Sequence, residues 1–450
     1  MSSFKISRGY DIPVPGAASR KLVAAPPART VALRPGDFRG VKPRLLVHEG
    51  DRVSAGTPLF ADKERPEIVF GSPGGGEVVE IRRGKRRLLL EIVVKLDAEE
   101  PFAEGPGATP AQMESLTREQ IVDRLLGAGL WPVFRQRPFS NIPDPAVDPA
   151  GIFVSASDTS PLPHDPNLAL VDREEDFRLG LGVLRKLTSG QVHVGLHSRT
   201  RASGSALANL AAVSTHTFDG PHPSGQAEVQ IHHALPHKPG QVVWYLDAQD
   251  VAAVGECLRS GRYPVTRVIA VGGEGAENRV HYRTRRGVPA TLLTGTDSTA
   301  HGFRTVSGTL LSGSEVTPGA AVGFHDATLC VIPEGTEPEF AGWMKPGFSK
   351  VSRFRAYASA LVRSGSGSIN TNLGGGVRAH VMTGVHEDVC ATGLYPAQLM
   401  KSVLAEDVEE TMKLGLLDCA ECGLCTFVCP SKIEFGRILG QAIEECMREG

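Results

Sequence analysis

The hydrophobic pattern changes character several times along the chain, and each change predicts a different kind of element. Over the first hundred residues, short apolar alternations are broken by Gly and Pro, as in Val47-His-Glu-Gly50-Asp51-Arg-Val53 and Gly76-Glu-Val78-Val79-Glu-Ile81. A period of two with glycines at the corners predicts a small β-sandwich or barrel. Residues 101–114, rich in Pro, Gly and Ala, predict a linker. Thr117-Arg-Glu-Gln120 reads as a capping box for a helix carrying Ile121, Val122, Leu125 and Leu126, which stops near residues 127–129.

From 150 to 272 the pattern becomes α/β. Buried strands are expected at Gly151–Ser155, Gln191–Leu196, Gln241–Leu246 and Arg267–Val271. Asp172-x-x-Glu175 should cap a helix lined by Phe177, Leu181 and Leu184, and Asp247-x-x-Asp250 one lined by Val251, Val254, Cys257 and Leu258, closed by Gly261. The sheet is Rossmann-like, but its dinucleotide signature is missing: Gly273-Glu-Gly275-Ala-Glu-Asn278 lacks the third glycine and runs into strand-like residues, so it reads as a hairpin. Residues 263–330 add strands at Val265–Val271, Arg279–Arg283 and Val306–Gly313. The Ser/Gly-rich stretch 364–376 predicts a flexible loop, and from Pro396 onward the pattern is helical. Ser431 and Glu434 cap a final helix whose Phe435, Ile438, Leu439, Ala442, Ile443, Cys446 and Met447 keep helical spacing.

At 450 residues the chain is long enough for about three domains. A net charge of −2 and only 6% aromatic residues, with no basic stripe between them, argue against nucleic acid as partner. Eight cysteines, four of them in one run, fit a reducing compartment better than a disulfide framework. The first residues lack an apolar leader, and the richest apolar run, Leu88–Val94, is short and contains Glu91. A cytoplasmic protein without a membrane span is expected.

The strongest chemical signal is Cys419-x2-Cys422-x2-Cys425-x3-Cys429-Pro430, the ligand spacing of bacterial ferredoxins. In those proteins the fourth cysteine of a run serves a second cluster, and only one run is present here. A single cube would draw its fourth ligand from Cys390, Cys330, a partner or Cys429 in an unusual geometry. A zinc site or an empty remnant are the alternatives.

Other candidates are weaker. Trp131, Phe134 and Arg135 combine aromatic and cationic surface and could bind a planar or anionic group, or pack against a neighbouring domain. His216, His222, His232, His233 and His237 crowd one segment without a metal-site spacing, so a subunit contact or loop-borne ligand is expected. The basic turn Arg82-Arg-Gly-Lys-Arg-Arg87 is either a solvated hairpin tip or a docking point for an acidic partner or anionic lipid. No catalytic triad, nucleophile elbow, P-loop or HExxH occurs, and no catalytic residue is assigned.

Residues 1–100 resemble the barrel-sandwich hybrid of lipoyl and biotinyl carriers, with Lys63 expected to be unmodified because its loop lacks the carrier hairpin. The order of parts resembles the C subunit of the Rnf complex and the flavin-binding subunit of respiratory complex I. It is most similar to the NqrA family, the A subunits of the Na+-translocating NADH:quinone reductase. That likeness rests on Gly50-Asp-Arg-Val53, Gly129-Leu-Trp131 with Arg135-Gln-Arg-Pro138, His222-Pro223 with Gly225, Ile231-His232, Ser307-Gly308, Leu311-Ser-Gly313, Gly342-Trp343 and Cys425-Thr-Phe-Val-Cys429-Pro430.

The resemblance implies an α+β multidomain chain in four parts. These are a barrel-sandwich hybrid (1–100), a linker, helix and Rossmann-like α/β domain (101–262), a β-grasp, SLBB-like domain (263–330), and a connecting segment with a helical C-terminal domain (331–450). It implies a peripheral protein on the cytoplasmic side of a bacterial inner membrane, associated through five partners, the B, C, D, E and F subunits, and most directly through B. The complex passes electrons from NADH to ubiquinone and moves Na+ outward, and NqrA is linked to the quinone end. No FMN is expected, since Leu126-Gly-Ala-Gly-Leu-Trp131 lacks the glycines of the complex I flavin loop. Most members of that family keep only the tail of the cysteine run. Here Cys419, Cys422 and Cys425 are all present, which makes a [4Fe-4S] cluster the open question.

Overall fold

The computed structural model describes residues 2–449 except 201–204, 209, 211, 237–239, 296–300, 337–344, 349, 354–356, 361–366 and 379–380. The Gly342-Trp343 motif and His237 therefore lie outside the described residues. Four sheets organise the chain. In the first, strands Ser2–Lys5, Ser214–Asp219, Gln191–Leu196, Gly151–Ala156, Val243–Asp247 and Arg135–Arg137 lie side by side in that order. All neighbours run parallel except the last pair. Helices Glu174–Leu184 and Ala248–Ser260 pack on each other at glycines: a Cβ at Gly180 would come 2.1 Å from the Val251 carbonyl, and one at Gly255 1.9 Å from that of Asp176. Asp247 caps its helix by accepting from the Asp250 amide, and Gly261 (φ 71°) ends it. The other expected cap is displaced. Asp172 turns away to pair with Arg283 at 2.9 Å, and Glu174–Leu184 begins without a side-chain cap.

Two further sheets are antiparallel and form the barrel unit: Thr30–Leu33, Leu89–Leu96, Gly76–Arg83 and Arg52–Val53 in one, and Pro43–Leu45, Pro58–Asp62 and Val69–Gly71 in the other. The fourth sheet orders Ser314–Glu315, Phe303–Ser307, Thr328–Pro333, Thr266–Gly272, His281–Arg285 and Leu22–Ala24.

Strand pairing between distant segments adds detail that the local pattern does not carry. At the start of the chain, Ser2–Lys5 adds an edge strand to the parallel sheet, and Leu22–Ala24 an edge strand to the mixed one. An edge strand is held by backbone pairing with a distant segment, which local pattern does not encode. Thr266–Gly272, expected both in the α/β run and among the strands of the 263–330 unit, pairs with His281–Arg285 and Thr328–Pro333.

One continuous core runs from Phe60 and Phe70 of the barrel through Leu130, Trp131 and Phe134 to Trp244, Leu246 and Val251 of the α/β domain. Trp131 and Phe134 are fully buried, with ring centroids 5.0 Å apart and Trp244 edge-on to Trp131 at 5.4 Å. The Trp131 indole donates to the Pro143 carbonyl at 3.0 Å.

In the parallel sheet, His193 and His216 on adjacent strands share a 2.9 Å hydrogen bond. Burial and the neighbouring imidazole push His193 down to about 4, so the folded chain resists a proton that the unfolded chain accepts near 6.5. The resulting stability is complete above pH 6.5 and is lost as pH falls toward 4. His193→Gln is expected to flatten the decline in thermal midpoint between about pH 7 and pH 5.

Candidate functional site

The parallel sheet reverses its strand order beside Gly151–Ala156, the place where open α/β sheets leave a ligand crevice at the strands' carboxyl ends. Here the chain fills that place itself. The loop 220–226 passes over the strand end, where the Gly225 amide donates to Thr159 Oγ1 at 2.9 Å and the Gln230 side-chain amide to Ser157 Oγ at 2.7 Å. A Cβ at Gly225 would lie 2.6 Å from the Thr159 nitrogen, so the approach needs glycine. The Leu126–Trp131 loop is likewise taken up by the barrel: the Gly71 amide donates to the Gly129 carbonyl at 3.2 Å, and a Cβ at Gly129 would meet Gly71 at 2.5 Å.

The segment with the aromatic and cationic side chains does not present a ligand surface. Trp131 and Phe134 lie in the shared core, and the half-buried Arg135 stacks 4.6 Å over the Tyr245 ring. The reason is apolar area: a Trp and a Phe next to the barrel–sheet junction gain more from burial than from solvent.

The cysteines assemble elsewhere. Short helices Pro396–Leu404 and Leu424–Val428 and the long helix Phe435–Glu449 enclose a cavity with almost wholly apolar walls, lined by Cys390, Cys419, Cys422 and Cys425. Val229, Leu394, Leu399, Phe435 and Leu439 complete the walls. The expected final helix forms, with Phe435, Leu439, Ala442 and Ile443 buried. Cys429 does not line the cavity; it is buried against Met400 and Phe435. Cys330 does not line it either, and packs with Leu162 and Val306 with its thiol toward the Gly308 carbonyl at 3.7 Å.

The loop carrying three of these thiols has an unusual backbone. Glu421 (φ 50°) and Gly423 (φ 77°) both take left-handed conformations, and a Cβ at Gly423 would come 2.5 Å from the Leu311 carbonyl. This winding turns the Glu421 amide toward the Cys419 sulfur and the Leu424 amide toward that of Cys422. Amides aimed at sulfur stabilise thiolates. Burial acts the other way and dominates, pushing the Cys419 and Cys422 thiols up to about 12 and Cys425 well above the ordinary thiol value. Thiols in such a place ionise when a cation compensates them.

Two arginines and two histidines clamp this loop to the body, a role that spacing did not reveal. Arg39 of the barrel makes a bidentate pair with Glu421 at 2.7 and 2.6 Å and also donates to the Phe139 carbonyl at 2.9 Å. The buried Arg137 donates to the carbonyls of Leu417 and Cys419. His233 meets the Ala391 carbonyl at 3.0 Å, and His232 lies 3.5 Å from Asp418. The histidine-rich segment thus serves as the seat of the cysteine domain. Arg39→Ala removes a partly buried charge-assisted pair that contributes about 1.5–3 kcal/mol. Hydrogen exchange at the amides of residues 419–424 is expected to speed up while exchange in the parallel sheet stays unchanged.

Comparison with known proteins bears on this architecture. Residues 4–97 match the family model of the NqrA N-terminal barrel-sandwich hybrid domain, and residues 116–263 that of the NqrA second alpha/beta domain. The A subunit of the Na+-translocating NADH-quinone reductase from Rhodopirellula baltica is 37% identical over 454 residues, covering 99% of this chain and 98% of the relative. The chain belongs to the NqrA family. The A subunits of Serratia proteamaculans (35% over 455 residues) and Pseudomonas aeruginosa (36% over 451) align over 99% of this chain and 100% of their own length. Residues 387–434 match the model of a 4Fe-4S dicluster domain, so this NqrA-type chain carries an iron–sulfur domain at its C-terminal end. Among the described residues, no helix is long and apolar enough to cross a membrane.

Proposed function

We propose that this chain works as the A subunit of a Na+-translocating NADH-quinone reductase, peripheral to the membrane part, with an electron-carrying centre in its C-terminal domain. Relatives named for that complex align from end to end, which favours this reading over an Rnf-type carrier protein. The observation that carries the electron-transfer half is the apolar cavity lined by cysteine thiols inside the region that matches an iron–sulfur domain.

The donor set fits such a group. Cys419, Cys422 and Cys425 would hold a [4Fe-4S] cluster, which supplies one-electron transfer when bound. The chain's own part is to fix the environment. The Glu421 and Leu424 amides face two of the sulfurs, Arg137 holds the loop carbonyls, and the apolar walls keep water from the thiolates. Those are the protein's means of tuning a cluster's potential. No catalytic residue is assigned to this chain; quinone chemistry belongs to the assembled complex.

The finer picture is also part of the proposal: a Rossmann-like parallel sheet, a β-grasp, SLBB-like mixed sheet, a place on the cytoplasmic face, ubiquinone as the quinone, and five partner subunits with the B subunit nearest. Iron and acid-labile sulfide on anaerobically purified chain, with an EPR spectrum after dithionite reduction, test the centre. About four irons with a reduced-cluster signal support it. No iron, with the thiols open to alkylation, leaves a docking protein. Titration of a ubiquinone analogue against the chain with and without the B subunit tests the quinone link, and no saturable binding in either case counts against it.

A further inference from the structure

Two-cluster ferredoxin domains cross their ligands: each run of C-x2-C-x2-C-x3-C gives three thiolates to one cube and its fourth to the other. Counting back from Cys390 by the same spacing reaches His386, Thr383 and His380. Residues 380–390 therefore keep the frame of a first run in which only the last cysteine survives. His380 itself lies outside the described residues.

We infer that this domain is a two-cluster fold reduced to one cube, held by Cys390, Cys419, Cys422 and Cys425, with Cys429 left out and the second cube's place filled by side chains. This rests on the iron–sulfur reading above and goes beyond it by naming the fourth ligand and the number of clusters. Cys390 lines the same cavity as the three loop thiols, on a separate segment of the chain, whereas Cys429 does not. The Cys390 sulfur is also within electrostatic reach of each of the other three.

Cys429 is not among the cavity's lining, although it shares Phe435 with the cavity wall. It is 2% exposed and packs with Met400 and Phe435. His386, the third position of the vestigial run, is fully buried and lies against the Phe435 ring at 4.3 Å. The residues whose counterparts would hold a second cube thus meet one another around a phenylalanine, and a packed aromatic core leaves no room for a second set of irons. A single zinc fits the donors less well. Four thiolates around one zinc sit roughly 3.8 Å apart, given Zn–S bonds of about 2.3 Å. Among the described residues no three His, Cys, Asp or Glu side chains are grouped to hold one ion. Donors spread around a cavity suit a cube, where each thiolate takes a different iron. On assembly each of the four thiols loses its proton to solvent as its S–Fe bond forms, with two ferrous and two ferric irons and four sulfides supplied from outside the chain.

The test is anaerobic reconstitution of the full chain with ferrous and ferric salts, sulfide and a thiol. Wild type, Cys390→Ala, Cys390→Ser and Cys429→Ser are compared by iron and sulfide content, EPR and far-UV circular dichroism. Wild type and Cys429→Ser are expected to bind about four irons and to give the same reduced-state EPR signal. Cys390→Ala is expected to hold about three irons or fewer and to show a changed signal, with part of the iron restored by a small exogenous thiol. The dichroism of Cys390→Ser separates loss of a ligand from loss of the fold. Four irons and an unchanged signal in both Cys390 variants would overturn the assignment, as would about eight irons in wild type. No iron in wild type would remove the underlying cluster reading, and the ligand assignment with it.

Discussion

Replacing Asp250 by alanine is expected to cost about 3–5 kcal/mol, because it removes the one carboxylate oxygen that two buried guanidinium groups share and leaves Arg286 without a carboxylate partner. Asp250 sits in the first turn of helix Ala248–Ser260, where its side chain is 2% exposed. Arg267 donates to it at 2.8 Å, and Arg286 pairs with the same oxygen. The two arginines hold its carboxyl well below the usual carboxylate range despite its burial. Arg267 also donates to the carbonyls of His325 and Asp326 and to Asp247, so the helix start, the strand Thr266–Gly272 and the 323–326 turn are joined at one point. The junction links the parallel and mixed sheets, and the loss should lower the thermal midpoint by about 10 °C for a unit of this size. Lys413→Ala, which breaks the exposed pair with Glu409, serves as the comparison and is expected to leave the midpoint unchanged. Differential scanning calorimetry of the two variants checks both. Equal midpoints would mean that solvent reaches the junction.

The second large effect is on metal content. Cys422→Ser is expected to remove most of the iron and the reduced-state EPR signal, while far-UV circular dichroism stays as in wild type. Cys422 is the middle thiol of the loop, with a backbone amide aimed at its sulfur, and it lies outside any regular helix. Its loss should therefore cost the cluster a ligand, while a serine of nearly the same shape outside any helix leaves the secondary structure in place. Wild-type iron in this variant would show that the cavity thiols do not bind it.

Much of the local structure was legible because it depends on neighbours in sequence. Thr117 and Gln120 form the capping box read from their spacing, and Gly261 ends its helix in the left-handed conformation expected of it. The connection over residues 273–280 joins antiparallel strands, as the failed glycine fingerprint suggested. The family was legible too, through motifs spread over the chain. Whether Trp131 and Phe134 form a ligand surface or pack against a neighbouring domain stayed open, because composition does not say which side of a loop faces that domain; the structure buries both. The fourth cysteine ligand stayed open for a related reason: 29 positions separate Cys390 from Cys419, and no local period links them.

By itself, then, the sequence determined most of the elements, caps such as Thr117 and Asp247, and the three-thiol loop, since turn chemistry, periodicity and ligand spacing act within a few residues. Only the tertiary structure decided which sheet received Ser2–Lys5, Leu22–Ala24 and Thr266–Gly272, that Arg39, Arg137, His232 and His233 seat the cysteine domain, and that Cys390 rather than Cys429 faces the cavity. Those choices follow from backbone pairing, burial and charge compensation between segments far apart in the chain, which come into contact only once the whole molecule has folded.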